Sequence, residues 1–303
     1  MRKPAIDSHT QHVLYHTAMQ VEQAVKQGNI AREDREVLLA HLLQKNRTWI
    51  LAHPEYSLSP DQKTTLSKWI QRRIRGEPIA YITGEKAFYN RTFHINPSVL
   101  IPRPCTEKLI QTITKTMSVF SEEKQPQKLP KIPLSPSEKT DIVFDICTID
   151  PDIVSITKLW SQAMPRTIVD IGTGSGCIAV TLACECPHLH IIATDISPDA
   201  LEVAKENAQR HDVTHRIDFR QGNLLEPIAD LPEPFLLVSN PPYIPDNEEL
   251  DSDVIDYEPH EALFAGPHGT DLLSTLLVQA QKNPYCVGYI IECRSDQRQK
   301  LTI

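Results

Sequence analysis

The sequence lacks any apolar run of about 18 residues, the length that a membrane-spanning helix needs. Its opening stretch, MRKPAIDSHTQHVLYH, also lacks the apolar segment of a secretory signal. We therefore expect no membrane span and no secretion. The interpretation that follows is a cytoplasmic protein, and an organelle matrix would give the same pattern.

The sequence also has no excess of basic residues. The chain has 31 Lys and Arg against 39 Asp and Glu, a formal net charge of −8. Contacts with nucleic-acid phosphates need Lys and Arg, so this charge disfavours a protein that works on nucleic acid. A small basic patch on one face stays compatible with it.

The cysteines form no regular framework, because there are seven of them at irregular spacing. Reduced thiols are the natural interpretation. Four possible metal ligands do lie close together in CECPHLH, namely Cys184, Cys186, His188 and His190. Their spacing is not that of a structural zinc site, so we expect no metal.

What is present begins with a helical region. Apolar residues at helical spacing in EDREVLLAHLL, and a helix start at Ser59 and Pro60, predict an N-terminal helical domain over residues 1–80. Residues 81–100 alternate and contain the possible turn YNR, which predicts a β-hairpin linker over residues 81–110. In IPRPCTEKLI, which follows, Thr106 is a candidate N-cap for a further helix.

The rest of the chain differs in composition. Residues 111–165 are rich in Pro, Lys, Glu and Ser, which predicts a partly flexible insertion. Its last part, DIVFDICTIDPDIVSITKLW, is compatible with a strand or a helix. Residues 166–303 alternate between strand and helix patterns, with strands in TIVDIG, HIIATDI, IDFRQGN, FLLVSN and CVGYIIEC, and this alternation predicts a parallel sheet.

A glycine-rich turn, DIGTGSG (residues 170–176), follows the first of these strands and opens a helix. Gly172, Gly174 and Gly176 allow a tight turn and a close approach to a ligand. A dinucleotide fingerprint would need glycine at Cys177, so a nicotinamide cofactor is disfavoured. A plain strand-to-helix turn is the alternative.

Asp195 ends the next predicted strand, in IIATDISPD. An acidic residue about 20 positions beyond such a turn can accept hydrogen bonds from both ribose hydroxyls of a nucleoside. It could instead cap the next helix, but Ser197 followed by Pro198 is the better cap and leaves Asp195 free. The glycine turn and Asp195 together favour an adenosine-containing cofactor.

FLLVSNPPYIP places an amide side chain directly after a strand that hardly alternates and is therefore buried on both faces. Asn240 then lies at the carboxyl edge of the sheet, where ligands bind. Pro241 and Pro242 fix φ and donate no N–H, so nearby carbonyls stay unpaired. The amide oxygen and a carbonyl match the two donors of a planar NH2 group, and Tyr243 offers a flat face. A proline-rich turn in which Asn240 bonds its own backbone is the alternative.

These features combine into a methyl-transfer site with S-adenosylmethionine as cofactor. Two acceptors that hold both N–H bonds of an amide would aim its weakly nucleophilic nitrogen at the sulfonium methyl. Such positioning contributes about 7–11 kcal/mol in favourable cases. No strong general base is needed, because the methylated amide loses its extra proton readily.

DIGTGSG, TDIS and NPPYI resemble class I methyltransferases that modify an amide or amino group. RGEPIAYITGEKAFY, VLIPRPCTE and YEPHEALFAG resemble, more specifically, the release-factor glutamine methyltransferases. These enzymes methylate the glutamine of the Gly-Gly-Gln motif in class 1 peptide chain release factors. The resemblance implies an α/β, Rossmann-like class I methyltransferase fold with a parallel central sheet. It also implies an N-terminal helical domain, joined by the β-hairpin, that docks the release factor.

The resemblance also implies roles for individual residues. It assigns to the cofactor Gly172, Thr173, Gly174, Ser175, Gly176, Asp195, Asn223, Leu224 and Asn240. It assigns to the substrate glutamine Asn240, Pro241, Pro242 and Tyr243. Many relatives carry Asp at the position of Asn223, and an amide there can still accept from an adenine amino group.

The sequence departs from that family in its last part. CVGYIIEC lacks the Gly-Gly turn that usually precedes the fifth strand, and the chain stops soon afterwards at Ile303. Family members continue with a helix and an antiparallel strand pair, so we expect a shortened domain with an uncovered sheet edge. Three alternatives stay open: glutamine methylation of a ribosomal protein, adenine-N6 methylation of nucleic acid, and a shortened non-catalytic homologue.

Overall fold

The structure is a computed structural model that describes residues 19–26, 29–122, 142–143, 153–159, 165–298 and 301. The chain divides into two compact units, Met1–Thr83 and Gly84–Ile303. In the part of the chain that the structure describes, no helix is long and apolar enough to cross a bilayer.

The first unit is helical, as the sequence predicts. Its helices are α1 (Val21–Lys26), α2 (Arg32–Leu43), α3 (Arg47–Ala52), α4 (Pro60–Ile74) and α5 (Ile79–Thr83). They enclose a small apolar core that includes Leu38, Leu39, Ile50 and Leu66. The predicted start of α4 is confirmed: Ser59 Oγ accepts from the Gln62 backbone N–H, and Gln62 Oε1 accepts from the Ser59 N–H.

The second unit begins with the predicted hairpin. Strands β1 (Glu85–Phe88) and β2 (Arg91–His94) pair antiparallel. Tyr89 and Asn90 between them both have positive φ, 46° and 59°. Two consecutive positive φ values are what a type I′ turn requires, and that turn matches the twist of the paired strands.

A seven-stranded sheet forms the centre of this unit. Its strands are β3 (Ile142–Val143), β4 (Ile153–Leu159), β5 (Thr167–Ile171), β6 (His190–Asp195), β7 (Ile217–Gln221), β8 (Phe235–Ser239) and β9 (Cys286–Arg294), in the order β3-β4-β9-β8-β5-β6-β7. The run β9-β8-β5-β6-β7 is parallel. The predicted class I methyltransferase fold is therefore confirmed.

Helices connect and flank the strands. They are α6 (Thr106–Glu122), α7 (Cys177–Glu185), α8 (Pro198–Arg210), α9 (Ser252–Ile255), α10 (Asp271–Lys282) and α11 (Ser295–Arg298). Side chains of β5, β8, β9 and α10 build an apolar core of the unit. β8 is buried along its whole length, so the position and direction of the backbone at its last residue, at the edge of the sheet, are closely constrained.

The edge of the sheet beside β9 differs from the sequence prediction. We expected this edge to be uncovered, but β4 pairs with β9 antiparallel from Ile153–Arg294 to Leu159–Gly288. β3 pairs antiparallel with β4 in turn. Both strands come from residues 111–165, which the sequence predicts as an insertion. The predicted flexibility of residues 123–141 and 144–152 lies outside the described residues.

The CECPHLH segment runs from the end of α7 at Glu185 into β6 at His190. Among the described residues, no group of three or more His, Cys, Asp or Glu side chains is placed to hold a metal ion.

Candidate active site

A cavity of about 790 Å³ opens at the carboxyl ends of β5, β6 and β8. This is the edge at which open parallel sheets bind their ligands. Most of the site residues predicted from the sequence line it together: Gly172, Thr173, Gly174, Ser175, Asp195, Asn223, Leu224, Asn240, Pro241 and Pro242. Two predicted residues, Gly176 and Tyr243, are not among its lining residues.

The glycine turn after β5 has two different parts. Gly172 and Gly174 have φ of 69° and 54°, and a Cβ on either would meet no atom within 4 Å. The space over these two glycines is therefore open to a ligand. A Cβ on Gly176 would lie 3.1 Å from Ala204 in α8. This third glycine thus serves the close packing of the two helices.

Asp195 joins the glycine turn to the start of α8. Its Oδ2 accepts from the Gly174 backbone N–H at 2.8 Å, and its Oδ1 accepts from the Ser197 N–H at 3.0 Å. Ser197 caps α8 as predicted, because its Oγ accepts from the Ala200 N–H. Asp195 is not left free as we expected, but each carboxylate oxygen has a further lone pair for a ribose hydroxyl. Burial raises the pKa of Asp195, and the backbone donors oppose that shift.

Asn240 follows the last residue of β8 and lies at the cavity wall. Its Nδ2 donates to Thr106 Oγ1 at 2.9 Å. Among the described residues no donor bonds to Asn240 Oδ1 or to the carbonyl of Pro241. Asn240 Oδ1 and the Pro241 carbonyl therefore both have open acceptor sites, and both residues line the cavity. A planar NH2 group needs two such acceptors.

The Tyr243 side chain has contacts on the core side of the loop. Its hydroxyl donates to Glu292 Oε1 at 3.3 Å, and its ring packs against an apolar core of the unit. Burial and the nearby Glu292 carboxylate raise the pKa of Tyr243. Its role as a flat face for a substrate amide stays a prediction.

Sequence reasoning missed three further residues beside the cavity. Arg103 and Thr106 line it, and Arg103 forms an ion pair with Glu258. Glu258 is buried and also accepts from the Ile101 N–H at 3.0 Å. All three lie in VLIPRPCTE or YEPHEALFAG, stretches that carried the family resemblance but predicted no functional role for these residues.

Asp170, the first residue of the glycine-rich stretch, is completely buried beneath the turn. Thr173 Oγ1 donates to its Oδ2 at 2.7 Å, while its Oδ1 has no partner among the described residues. Burial raises the pKa of Asp170 to about 7, against the opposing effect of the Thr173 hydroxyl.

The residues fit a nucleoside sulfonium cofactor. The open space over Gly172 and Gly174 would let a ligand approach the backbone, and Asp195 would supply acceptors for two ribose hydroxyls. Leu224 is buried and would form an apolar wall for an adenine ring, and the amide of Asn223 beside it is exposed. Asn240 lies across the same cavity.

Comparison with known proteins agrees with this assembly. Residues 19–84 match the family described as the PrmC N-terminal domain, and residues 144–257 match the methyltransferase small domain. A release factor glutamine methyltransferase of Coxiella burnetii is 33% identical over 281 residues, which cover 92% of this chain and 85% of that protein. One from Koribacter versatilis is 35% identical over 250 residues, 82% of this chain and 73% of that protein.

A longer relative also matches. The bifunctional methyltransferase of Rickettsia typhi is 37% identical over 262 residues, which cover 84% of this chain and 44% of that protein. The chain thus spans less than half the length of this relative. The extent and identity of the matches to the shorter relatives show that the chain belongs to the release factor glutamine methyltransferase family.

Proposed function

We propose that this protein methylates the side-chain amide nitrogen, N5, of the glutamine in the Gly-Gly-Gln motif of class 1 peptide chain release factors. The methyl donor is S-adenosylmethionine. Family membership supports the substrate class. The carrying observation is the side chain of Asn240, held by its nitrogen on Thr106 while its oxygen stays open at the cavity.

The two halves of the cavity have separate tasks. The glycine turn and Asp195 bind the nucleoside part of the cofactor, which supplies an electrophilic methyl when bound. Asn240 Oδ1 and the Pro241 carbonyl accept the two N–H bonds of the glutamine amide. Fixed acceptors of this kind orient the nitrogen and cost no reorganisation during the reaction.

The reaction balances without a catalytic base. Asn240 and Pro241 would hold the glutamine nitrogen while its lone pair forms the C–N bond. The bound sulfonium would supply the methyl group and keep the electrons of the broken S–CH3 bond as a neutral thioether. The transient N-protonated amide is strongly acidic and gives its proton to water. This fits the two acceptors of the clamp, the Asn240 amide oxygen and the Pro241 carbonyl, because neither of them is basic.

The test uses purified protein with methyl-labelled S-adenosylmethionine. Its substrates are a class 1 release factor, the same factor with the Gly-Gly-Gln glutamine changed to alanine, a mixture of ribosomal proteins, and DNA. Label on the unmodified release factor alone is the expected result. Label on DNA or on a ribosomal protein would assign the site to the corresponding alternative, and no label at all would leave a non-catalytic homologue.

Two related expectations also stay predictions. The helical unit Met1–Thr83 would dock the release factor, as the family resemblance implies. The cytoplasmic location would follow from a substrate that acts in translation termination.

A further inference from the structure

The start of α6 contacts the proposed substrate clamp. Thr106 is the first residue of α6, and its Oγ1 accepts the hydrogen bond from Asn240 Nδ2 at 2.9 Å. Thr106 is 2% exposed, and both residues line the cavity. Thr106 therefore touches the clamp from a buried position and does not depend on solvent for its hydrogen bonds.

An asparagine side chain has two similar ends, and only its surroundings decide which end faces a ligand. With Oδ1 toward the cavity, Asn240 presents an acceptor to a substrate NH2 group. With the amide turned over, it would present N–H donors to N–H donors. The rotation leaves the shape of the site unchanged and removes half of the clamp.

The hydrogen bond places Asn240 Nδ2 on the Thr106 hydroxyl, so Oδ1 is the end left for the cavity. A hydroxyl can donate or accept, and it keeps the amide in this orientation when it donates its own proton to another acceptor. Cys105, the preceding residue, donates its thiol proton to Glu292 Oε1 at 3.6 Å, and Glu292 is buried. The Cys105 sulfur is thereby left as an acceptor next to Thr106 in the chain, because its own proton goes to the carboxylate.

We propose that Thr106 is a positioning residue, whose hydroxyl holds the Asn240 amide with Oδ1 toward the substrate nitrogen. This inference rests on the proposed function and adds the group that sets the polarity of the clamp. Thr106 touches neither the cofactor nor the reacting nitrogen in this proposal, so its effect on the reaction passes through Asn240.

The experiment compares Thr106→Val, which keeps the shape and removes the hydroxyl, with Thr106→Ser, which keeps the hydroxyl. Single-turnover methyl transfer to the release factor and the Kd of S-adenosylmethionine are measured for both. We expect Thr106→Val to lower the transfer rate by roughly 10- to 100-fold, as for the loss of one buried hydrogen-bond partner. Its cofactor Kd should match the wild type, the protein should stay folded at the assay temperature, and Thr106→Ser should restore most of the rate.

A double-mutant cycle with Asn240→Ala then separates positioning from a general structural role. If Thr106 acts through Asn240, Thr106→Val should add nothing in the Asn240→Ala background. A full additional loss in that background, a Ser variant as slow as the Val variant, or a Val variant that has also lost cofactor binding would each overturn the inference. A Val variant as fast as the wild type would overturn it as well.

The wild type serves as the separate check on the proposed function. If wild-type protein does not label the release factor, the proposed function fails before the Thr106 variants are compared. If wild type labels it and the variants behave otherwise than expected, only the positioning inference fails.

Discussion

The backbone N–H of Gly174 donates to Oδ2 of Asp195 at 2.8 Å, so the turn after β5 is tied to the last residue of β6. The same carboxylate receives the Ser197 N–H through its other oxygen. One side chain thus fixes the distance between the glycine turn and the start of α8. A nucleoside bound between them would therefore contact a preorganised surface.

Asp195→Ala should therefore weaken the cofactor first. It removes the acceptors for the ribose and also releases the Gly174 loop. We expect the Kd of S-adenosylmethionine to rise by roughly 10- to 100-fold, the range for hydrogen bonds to a charged group. Calorimetric titration measures this directly. The control is Asp199→Ala, an exposed acidic residue in the first turn of α8; a Kd for Asp195→Ala equal to that of this control would contradict the assignment.

Asn240→Ala should have the opposite profile. The cofactor Kd stays nearly unchanged, while the transfer rate falls by about 2.7–4 kcal/mol in activation free energy, as for loss of one preorganised polar group. Rapid-quench single-turnover kinetics with the release factor give the rate. Asn247→Ala, an exposed amide a few residues along the same loop, should transfer at the wild-type rate. A normal rate for Asn240→Ala would remove the clamp from the mechanism.

Glu258→Ala should reduce stability. It leaves the Ile101 N–H without its buried acceptor and Arg103 without its ion-pair partner. Because the Arg103 side chain is 34% exposed, water solvates the freed guanidinium. We expect the free energy of unfolding to fall by about 1–3 kcal/mol, less than for a completely buried pair. Urea denaturation of Glu258→Ala beside the exposed Glu249→Ala tests this, and equal midpoints would refute it.

Asp170 should make the free energy of unfolding depend on pH. Burial raises its pKa from 3.8 to about 7, so between these values the native state binds the proton more tightly than the unfolded chain does. Its contribution to stability is complete below about pH 3.8 and is lost as pH rises through about 7. Asp170→Asn cannot lose a proton. Its unfolding free energy relative to wild type should rise with pH, by up to roughly 4 kcal/mol at 1.36 kcal/mol per pKa unit.

Denaturation of Asp170→Asn and wild type across that pH range makes the measurement. Asp230→Asn, which changes an exposed carboxylate, is the matched control. A difference between Asp170→Asn and wild type that does not vary with pH would show that the buried carboxyl does not titrate in this range.

Features set by neighbouring residues could be predicted from the sequence. The Ser59 and Ser197 caps, each followed by proline, are decided within one turn of helix. The glycine turn and the buried strand before Asn240 are local patterns too. Parallel strands place their carboxyl ends at one edge of the sheet. These patterns were therefore sufficient to predict that Gly172, Asp195 and Asn240 line one cavity.

The missed features all join distant parts of the chain. Thr106 and Asn240 are 134 positions apart, and Glu258 and Arg103 are 155 apart. Neither pair has a local pattern that indicates its partner. The pairing of β4 with β9 was missed for the same reason, because IVSITKL alternates like many strands and nothing in it specifies a neighbour.

The strand that borders β9 lies upstream of β5, where the parallel part of the sheet begins. Leu159 pairs with Gly288, a residue far downstream in the chain. Until they pair, both strands show unpaired backbone groups to their surroundings. Closing this border brings together segments far apart in the chain, a step whose loop-closure entropy makes it slow. We therefore expect the nucleoside-binding half of the sheet to gain hydrogen-exchange protection early in refolding, and the β4–β9 border to gain it last.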